Sequence, residues 1–370
     1  MSIGRVVIAG VALLAAGLAT ALAPATESSR AVGRVQPTNL FTATAPIHSF
    51  AQSGGTLAWA SGCKIWERSA AGGSTTLIGT SCQVDAFALA GTRAIWGGFT
   101  DCCIEGYGEI QTAGRGAKQT TLRDINQAYH AWGDFLTGAA GGGDTLVYSL
   151  TIIDMSPDKT VDDSAGWIHC LPHDPCTWDV TGGGVWRVVD TKIERIAGTP
   201  PTALLAAIRG KIALVPTDRR RIPGPCTNEK PTGCPEARTA DTARVEVRDV
   251  TNGRITASFK PAGRVTALAL DTRSTAVLVR SAGKARVEWY ATSSGKQLGA
   301  VSVSAKVANR VAVSGRTVVF ARGRTIFALD IQAKRVRELA QTGAAPVGLS
   351  IEGARVVWAE IGLIRAIDVR

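Results

Sequence analysis

Residues 264–301 read RVTALALD TR STAVLVR SAGKA RVEWYA TSSGK QLGAV. Four short segments rich in Val, Leu and Ala are each closed by Gly, Ser, Lys or Asp, a pattern that predicts four antiparallel strands joined by tight polar turns. One twisted four-stranded sheet cannot bury both of its faces alone, so a fold built on this unit must repeat it.

The unit does repeat. An apolar strand, a small turn residue and a second strand with a bulky end recur around Gly55, Gly91, Gly143, Gly210, Ser274, Gly315 and Gly353, as in FAQSGG-TLAWAS and PVGLSIEG-ARVVWAE. The gaps between successive turn residues are 36, 52, 67, 64, 41 and 38. The three long gaps hold insertions at residues 100–107, 155–180 and 217–241, and without them shrink to 44, 41 and 39. That is the period of a four-stranded propeller blade. The expected fold is all-β, a seven-bladed β-propeller of four-stranded antiparallel blades filling residues 26–370. The seventh unit offers only LIRAIDVR after its second strand, and the spare extended residues 35–44, VQPTNLFTAT, are predicted to supply its fourth. Closing a ring in this way removes the sheet edges that would otherwise pair with other chains.

The turns Asp249-Val250-Thr251-Asn252-Gly253 and Ala291-Thr292-Ser293-Ser294-Gly295 resemble the D-x-x-T-G-[KR] turn of TolB-like, YVTN-type and quinoprotein-like repeats. On these repeats the chain resembles the β-propeller superfamily along its mature length, and the resemblance implies architecture. The Gly-His and Trp-Asp dipeptides of WD40 blades are missing from their places, since Trp178-Asp179 lies in an insertion. The terminal Trp of quinoprotein blades is missing too, so no cofactor is expected.

One basic residue, Arg5, precedes an uncharged apolar run at residues 6–23, and Ala-x-Ala patterns follow at Ala19-Thr20-Ala21 and Ala23-Pro24-Ala25. Residues 1–25 thus read as an export signal, or, with an apolar run of 18 residues, as a short N-terminal anchor. The expected location is secreted or extracytoplasmic, in a bacterial cell envelope. In that setting eight cysteines, an even number, read as a disulfide set. Loop membership pairs Cys63 with Cys82, Cys170 with Cys176 and Cys226 with Cys234. Cys102 pairs with Cys103 or with a neighbouring loop. Strand direction puts all eight on one face of the ring. The net charge of +11 favours an anionic partner, and export argues against nucleic acid. A monomer is expected, meeting a membrane only through the N-terminal segment.

Candidate site residues cluster in the insertions. Trp167, His169 and Trp178 in blade three, with Arg219, Arg220 and Arg221 in blade four, are the expected binding residues, since Trp supplies contact area and Arg grips anionic groups through paired hydrogen bonds. His169, His173 and Asp174 are the candidate metal ligands if Cys170 and Cys176 are bridged, although two prolines oppose the helix on which such spacing serves best. The acidic run Asp154, Asp158, Asp162 and Asp163 reads as a solvated loop entrance. There is no G-x-S-x-G elbow and no catalytic residue is assigned. His48 and His130 read as packing or surface residues. Trp59, Trp96, Trp289 and Trp358 read as core between blades at equivalent repeat positions. The expected function is a binding or scaffold module for a protein or anionic envelope glycan, through disulfide-stapled loops on one face. The alternative is an extracellular hydrolase or lyase on the same face, in one form metal-assisted through His169 and His173.

Overall fold

The computed structural model describes residues 36–100, 105–128, 132–155, 161–162, 168–169, 176–218, 222–224, 240–241 and 244–369. Every element among them is a β-strand, and the chain forms a seven-bladed β-propeller. Blade five is the plainest: Arg264–Leu270, Ser274–Ser281, Lys284–Ala291 and Gln297–Val303 pair in that order, all antiparallel. The innermost strands of the seven blades, from Ile47–Ser53 in blade one to Gly348–Glu352 in blade seven, touch in sequence and return to the first.

The strands are almost continuously apolar because both faces of each blade are covered. Side chains alternate between the faces with period two. In Thr56–Ser61, the second strand of blade one, Leu57 and Trp59 point to blade seven while Ala58 and Ala60 point to blade two. In Lys211–Val215, Ile212 and Leu214 face blade three whereas Ala213 and Val215 face blade five. The core is therefore divided into seven clusters, one in each gap between neighbouring blades. Trp59, Trp96, Trp289 and Trp358 are all essentially inaccessible to solvent within it. They do not share one repeat position, as the sequence grouping had them. Trp59, Trp96 and Trp358 lie on second strands, whereas Trp289 lies on a third strand opposite Ala276.

The N-terminal strand closes the ring. Thr38–Thr42 runs antiparallel to Leu363–Asp368 and forms the outer edge of blade seven. Phe41 from this strand packs on Trp59 of blade one, with ring centroids 4.7 Å apart. The turns between first and second strands are also laced together around the ring. Gly91 N–H donates to Ser53 Oγ, Gly210 N–H to Thr145 Oγ1, Gly315 N–H to Asp271 Oδ2 and Gly353 N–H to Ser314 Oγ, at 3.1, 2.6, 2.7 and 3.0 Å. Across the closure, Glu352 accepts from Gly54 and Gly55 N–H at 2.6 and 2.9 Å.

Alternating strand direction gives the propeller two unlike faces. One carries the first-to-second and third-to-fourth strand turns, all of them short. The other carries the second-to-third connections and the crossings between blades, and holds the insertions.

Candidate functional site

The insertions of blades two and three begin as strands rather than loops. In blade two, Arg93–Thr100 and Glu105–Gly114 stay paired as far as Thr100 opposite Tyr107, and the outer strand Thr120–Ala128 follows as far as Glu105. In blade three, Thr145–Met155 pairs with Cys176–Val189 out to Met155 opposite Trp178. Residues 176–180, read from composition as part of an insertion, thus belong to a strand. Two further pairings join these stems sideways. Ala128 and Gln127 of blade two pair with Trp132 and Gly133 at the start of blade three's inner strand, Trp132–Gly142. Ile222–Gly224, from the blade-four insertion, pairs with Cys176, Thr177 and Trp178. One nine-stranded sheet therefore spans blades two and three and takes in a strand of the blade-four insertion.

The bend between blade and raised sheet has a local cause. The register of blade three shifts between Ile152 and Ile153, leaving Thr181 without a partner in the ladder, and Gly182, Gly183 and Gly184 follow. A bulge of this kind bends a strand and sharpens its twist. Gly183 has φ +114°, and a Cβ there would lie 2.2 Å from the Leu150 carbonyl oxygen, so the strand turns where only glycine fits.

The expected binding residues fall on this sheet or beside it in sequence. Trp178 lies on Cys176–Val189 with Met155 as its neighbour on one side and Ile222 on the other. Arg219, Arg220 and Arg221 immediately precede Ile222 in sequence, and lie outside the described residues together with Trp167, His173 and Asp174. His169 sits in a two-residue ladder, Val161–Asp162 against Ile168–His169. Asp154 is opposite Asp179, and Asp162 opposite Ile168. Among the described residues no three metal-ligating side chains cluster.

The disulfide between Cys63 and Cys82 is formed. It ties the second-to-third strand turn of blade one to the crossing into blade two. Ser81 N–H donates to the Cys63 carbonyl at 3.1 Å, and the His48 ring nitrogen Nε2 lies 3.0 Å from the Gly62 carbonyl. His48 is thus an exposed residue bonded to the stapled turn. The crossing passes close against Gly98, where a Cβ would fall 1.8 Å from the Gln83 carbonyl oxygen. Cys102, Cys103, Cys170, Cys226 and Cys234 lie outside the described residues, as does the side chain of Cys176.

A polar seam between blades two and three was missed by the sequence reading. Arg123 donates to Asp134 Oδ2 at 2.6 Å, and its guanidinium lies 5.3 Å from the Trp186 ring centre. Arg195 approaches the same ring at 5.8 Å, while Tyr148 stacks on it at 5.7 Å with an interplanar angle of 8°. Two guanidiniums held against one indole is a favourable electrostatic arrangement. Burial pushes the Tyr148 hydroxyl up to about 12, with Arg123 lowering it and Asp134 raising it. No local motif announces this seam, because its five residues come from five different strands.

No protein-family model matches the chain, and no curated protein matches its sequence. Solved structures do match its shape. The computationally designed Ika8 protein is similar at 15% identity and a TM-score of 0.50, over 90% of this chain and 98% of that one. A chain in the mitotic checkpoint complex is similar at 11% identity and a TM-score of 0.50, over 90% and 96%. BamB from Moraxella catarrhalis is similar at 12% identity and a TM-score of 0.43, over 90% and 98%. At such identities the likeness is one of fold, and propellers carry unrelated functions.

Proposed function

We propose that this propeller is an exported, envelope-associated binding module whose recognition surface is the raised sheet over blades two to four. One observation carries the reading: the blade-four insertion adds its strand to the Trp178 end of the blade-three hairpin, so two insertions share a single surface. A surface built from hydrogen-bonded strands is more rigid than separate loops, and rigid surfaces lose less entropy on binding. In this reading Trp178, on that sheet, is the aromatic anchor, and Trp167, His169, Arg219, Arg220 and Arg221, which belong to the same insertions in sequence, are the remaining contact residues. Aromatic and Arg side chains dominate the energetics of protein interfaces. The partner is a protein of the envelope, and an anionic glycan is the competing ligand.

The test is chemical crosslinking of the full chain in envelope preparations, with partners identified and quantified by mass spectrometry. Trp178→Ala combined with Arg219→Glu, Arg220→Glu and Arg221→Glu is expected to lose the principal partner at least tenfold while the melting temperature holds. Partners recovered equally by the variant and the wild type would sink the proposal.

A further inference from the structure

The face opposite the raised sheet has its own chemistry. In blades four, five and six its six turns each carry an exposed cation: Arg209 and Arg254, Arg273 and Lys296, Arg316 and Lys334. None of the six has an ion-pair partner among the described residues. The acids of the same turns accept hydrogen bonds from backbone amides. Asp249 Oδ1 accepts from Thr251 and Asn252 N–H, Asp330 Oδ1 from Gln332 and Ala333 N–H, and Asp271 Oδ2 from Gly315 N–H. Three arginines on the insertion side of blades five and six are spent differently. Arg280 donates to the Ala305 and Val307 carbonyls, Arg310 to Pro346 and Arg324 to Thr342, so they fasten the crossings between blades.

A second observation places the start of the first strand, Thr38, on the same side. Thr38 pairs with Ala366 and Thr42 with Leu363, and Arg355, which follows a first-to-second strand turn, pairs with Asp368. The chain therefore enters the ring at the short-turn face. The apolar run at residues 6–23 precedes that entry in sequence, and Arg30 and Arg34 lie between them.

We propose that the short-turn face of blades four to six is a platform that rests on an anionic phospholipid surface and leaves the raised sheet pointing away from the bilayer. A planar bilayer can meet several cations carried on the turns of one face, and each basic residue near an anionic leaflet adds roughly 1 kcal/mol of attraction. The entry of the chain at Thr38 on this side, with an apolar run upstream in sequence, favours a membrane over a soluble acidic polymer. The inference concerns the opposite face from the proposed recognition surface and holds whatever that surface binds.

Co-sedimentation of the full chain with vesicles of phosphatidylglycerol mixed into phosphatidylcholine, against vesicles of phosphatidylcholine alone, reads the effect. The apolar N-terminal run contributes equally to both, and Arg5, Arg30 and Arg34 are kept in every variant, so the change in the ratio of the two partition coefficients on mutating the turns isolates the platform. That ratio is expected to exceed ten, to collapse between about 0.05 and about 0.5 M salt, and to fall at least tenfold in Arg254→Glu/Arg273→Glu/Arg316→Glu. The variant Arg219→Glu/Arg220→Glu/Arg221→Glu should keep it. An unchanged ratio in the platform variant overturns the proposal. So does tight, platform-dependent binding to polygalacturonate without any preference between the two vesicles, which would make the partner an acidic polymer.

Discussion

Blades five and three share one four-strand plan and use it differently. In blade five the strands are 7, 8, 8 and 7 residues long, and its buried carboxylate is satisfied within the blade. Its buried Glu288 accepts hydrogen bonds from Arg286 and from the Tyr290 hydroxyl. In blade three the first three strands grow to 11, 11 and 14 residues while the outer one shrinks to 4. The added length lies on the insertion side of the bulge at Thr181, and its backbone groups pair with blade two and with the blade-four insertion. Elaboration of a repeat thus need not disturb its core. The strands can be prolonged past the layer that packs, and their new edges are then covered by neighbours, which an exposed ladder needs.

The comparison breaks if the two blades lose stability alike when an aromatic residue is removed. Trp289 is buried to 1% exposure and fills the gap between blades five and six, and a Cβ on Gly299 would sit 2.3 Å from its ring. Trp289→Ala is expected to cost about 3–5 kcal/mol, the usual range for a large buried aromatic. Trp186, only partly buried between Arg123 and Arg195, is expected to cost about 1–2 kcal/mol, because solvent already reaches the ring and cation–π contacts at such sites are modest. Urea titration of both variants decides. Equal losses would make the seam part of the core. A somewhat smaller effect is expected at the junction of the plain and elaborated regions. Replacing Cys63 and Cys82 together by Ser removes a bridge across a sequence separation of 19 and should lower stability by about 3 kcal/mol. A loss well under about 1 kcal/mol would mean that Gly98 and the Ser81 hydrogen bond already hold that crossing.

Blade five was legible from sequence for the same reason that it is plain. Short apolar runs between Gly, Ser and Asp turns leave little choice of pairing, and residues 35–44 could be assigned to blade seven because its last unit was one strand short. The raised sheet was not legible. Residues 153–155 and 176–180 sit among Pro, Asp, His and Cys, whose composition reads as loop, and the pairing of Trp178 with Ile222 joins segments from different blades. Trp289 was grouped with Trp59 as if both held equivalent repeat positions, but which strand carries the indole depends on which gap needs filling. The sorting of arginines was hidden as well. Arg273 and Arg280 are seven residues apart at opposite ends of one hairpin, one left exposed and the other bonded to carbonyls of blade six.

The smallest expected effect concerns a charge buried between blades one and two. Glu67, on the third strand of blade one, is inaccessible to solvent, and its partner Arg115 reaches it at 3.0 Å from a half-exposed turn of blade two. Burial raises the Glu67 carboxyl above its ordinary 4.5, and the Arg115 charge only partly opposes this. Glu288 in blade five, by contrast, has hydrogen bonds to both of its carboxylate oxygens from residues of its own strand. A carboxyl with a raised folded-state pKa contributes stability that is fully present below the unfolded value and is lost as pH rises through the folded one. Glu67→Gln carries no such slope. The variant is therefore expected to gain about 1 kcal/mol over the wild type near neutral pH, because an imperfectly compensated buried charge costs more than a neutral isostere. The gain should close as pH falls to about 4, where the wild-type carboxyl is protonated. Urea midpoints at the two pH values test the sign, and a variant weaker than the wild type at neutral pH would show that the Arg115 pair outweighs the cost of burial.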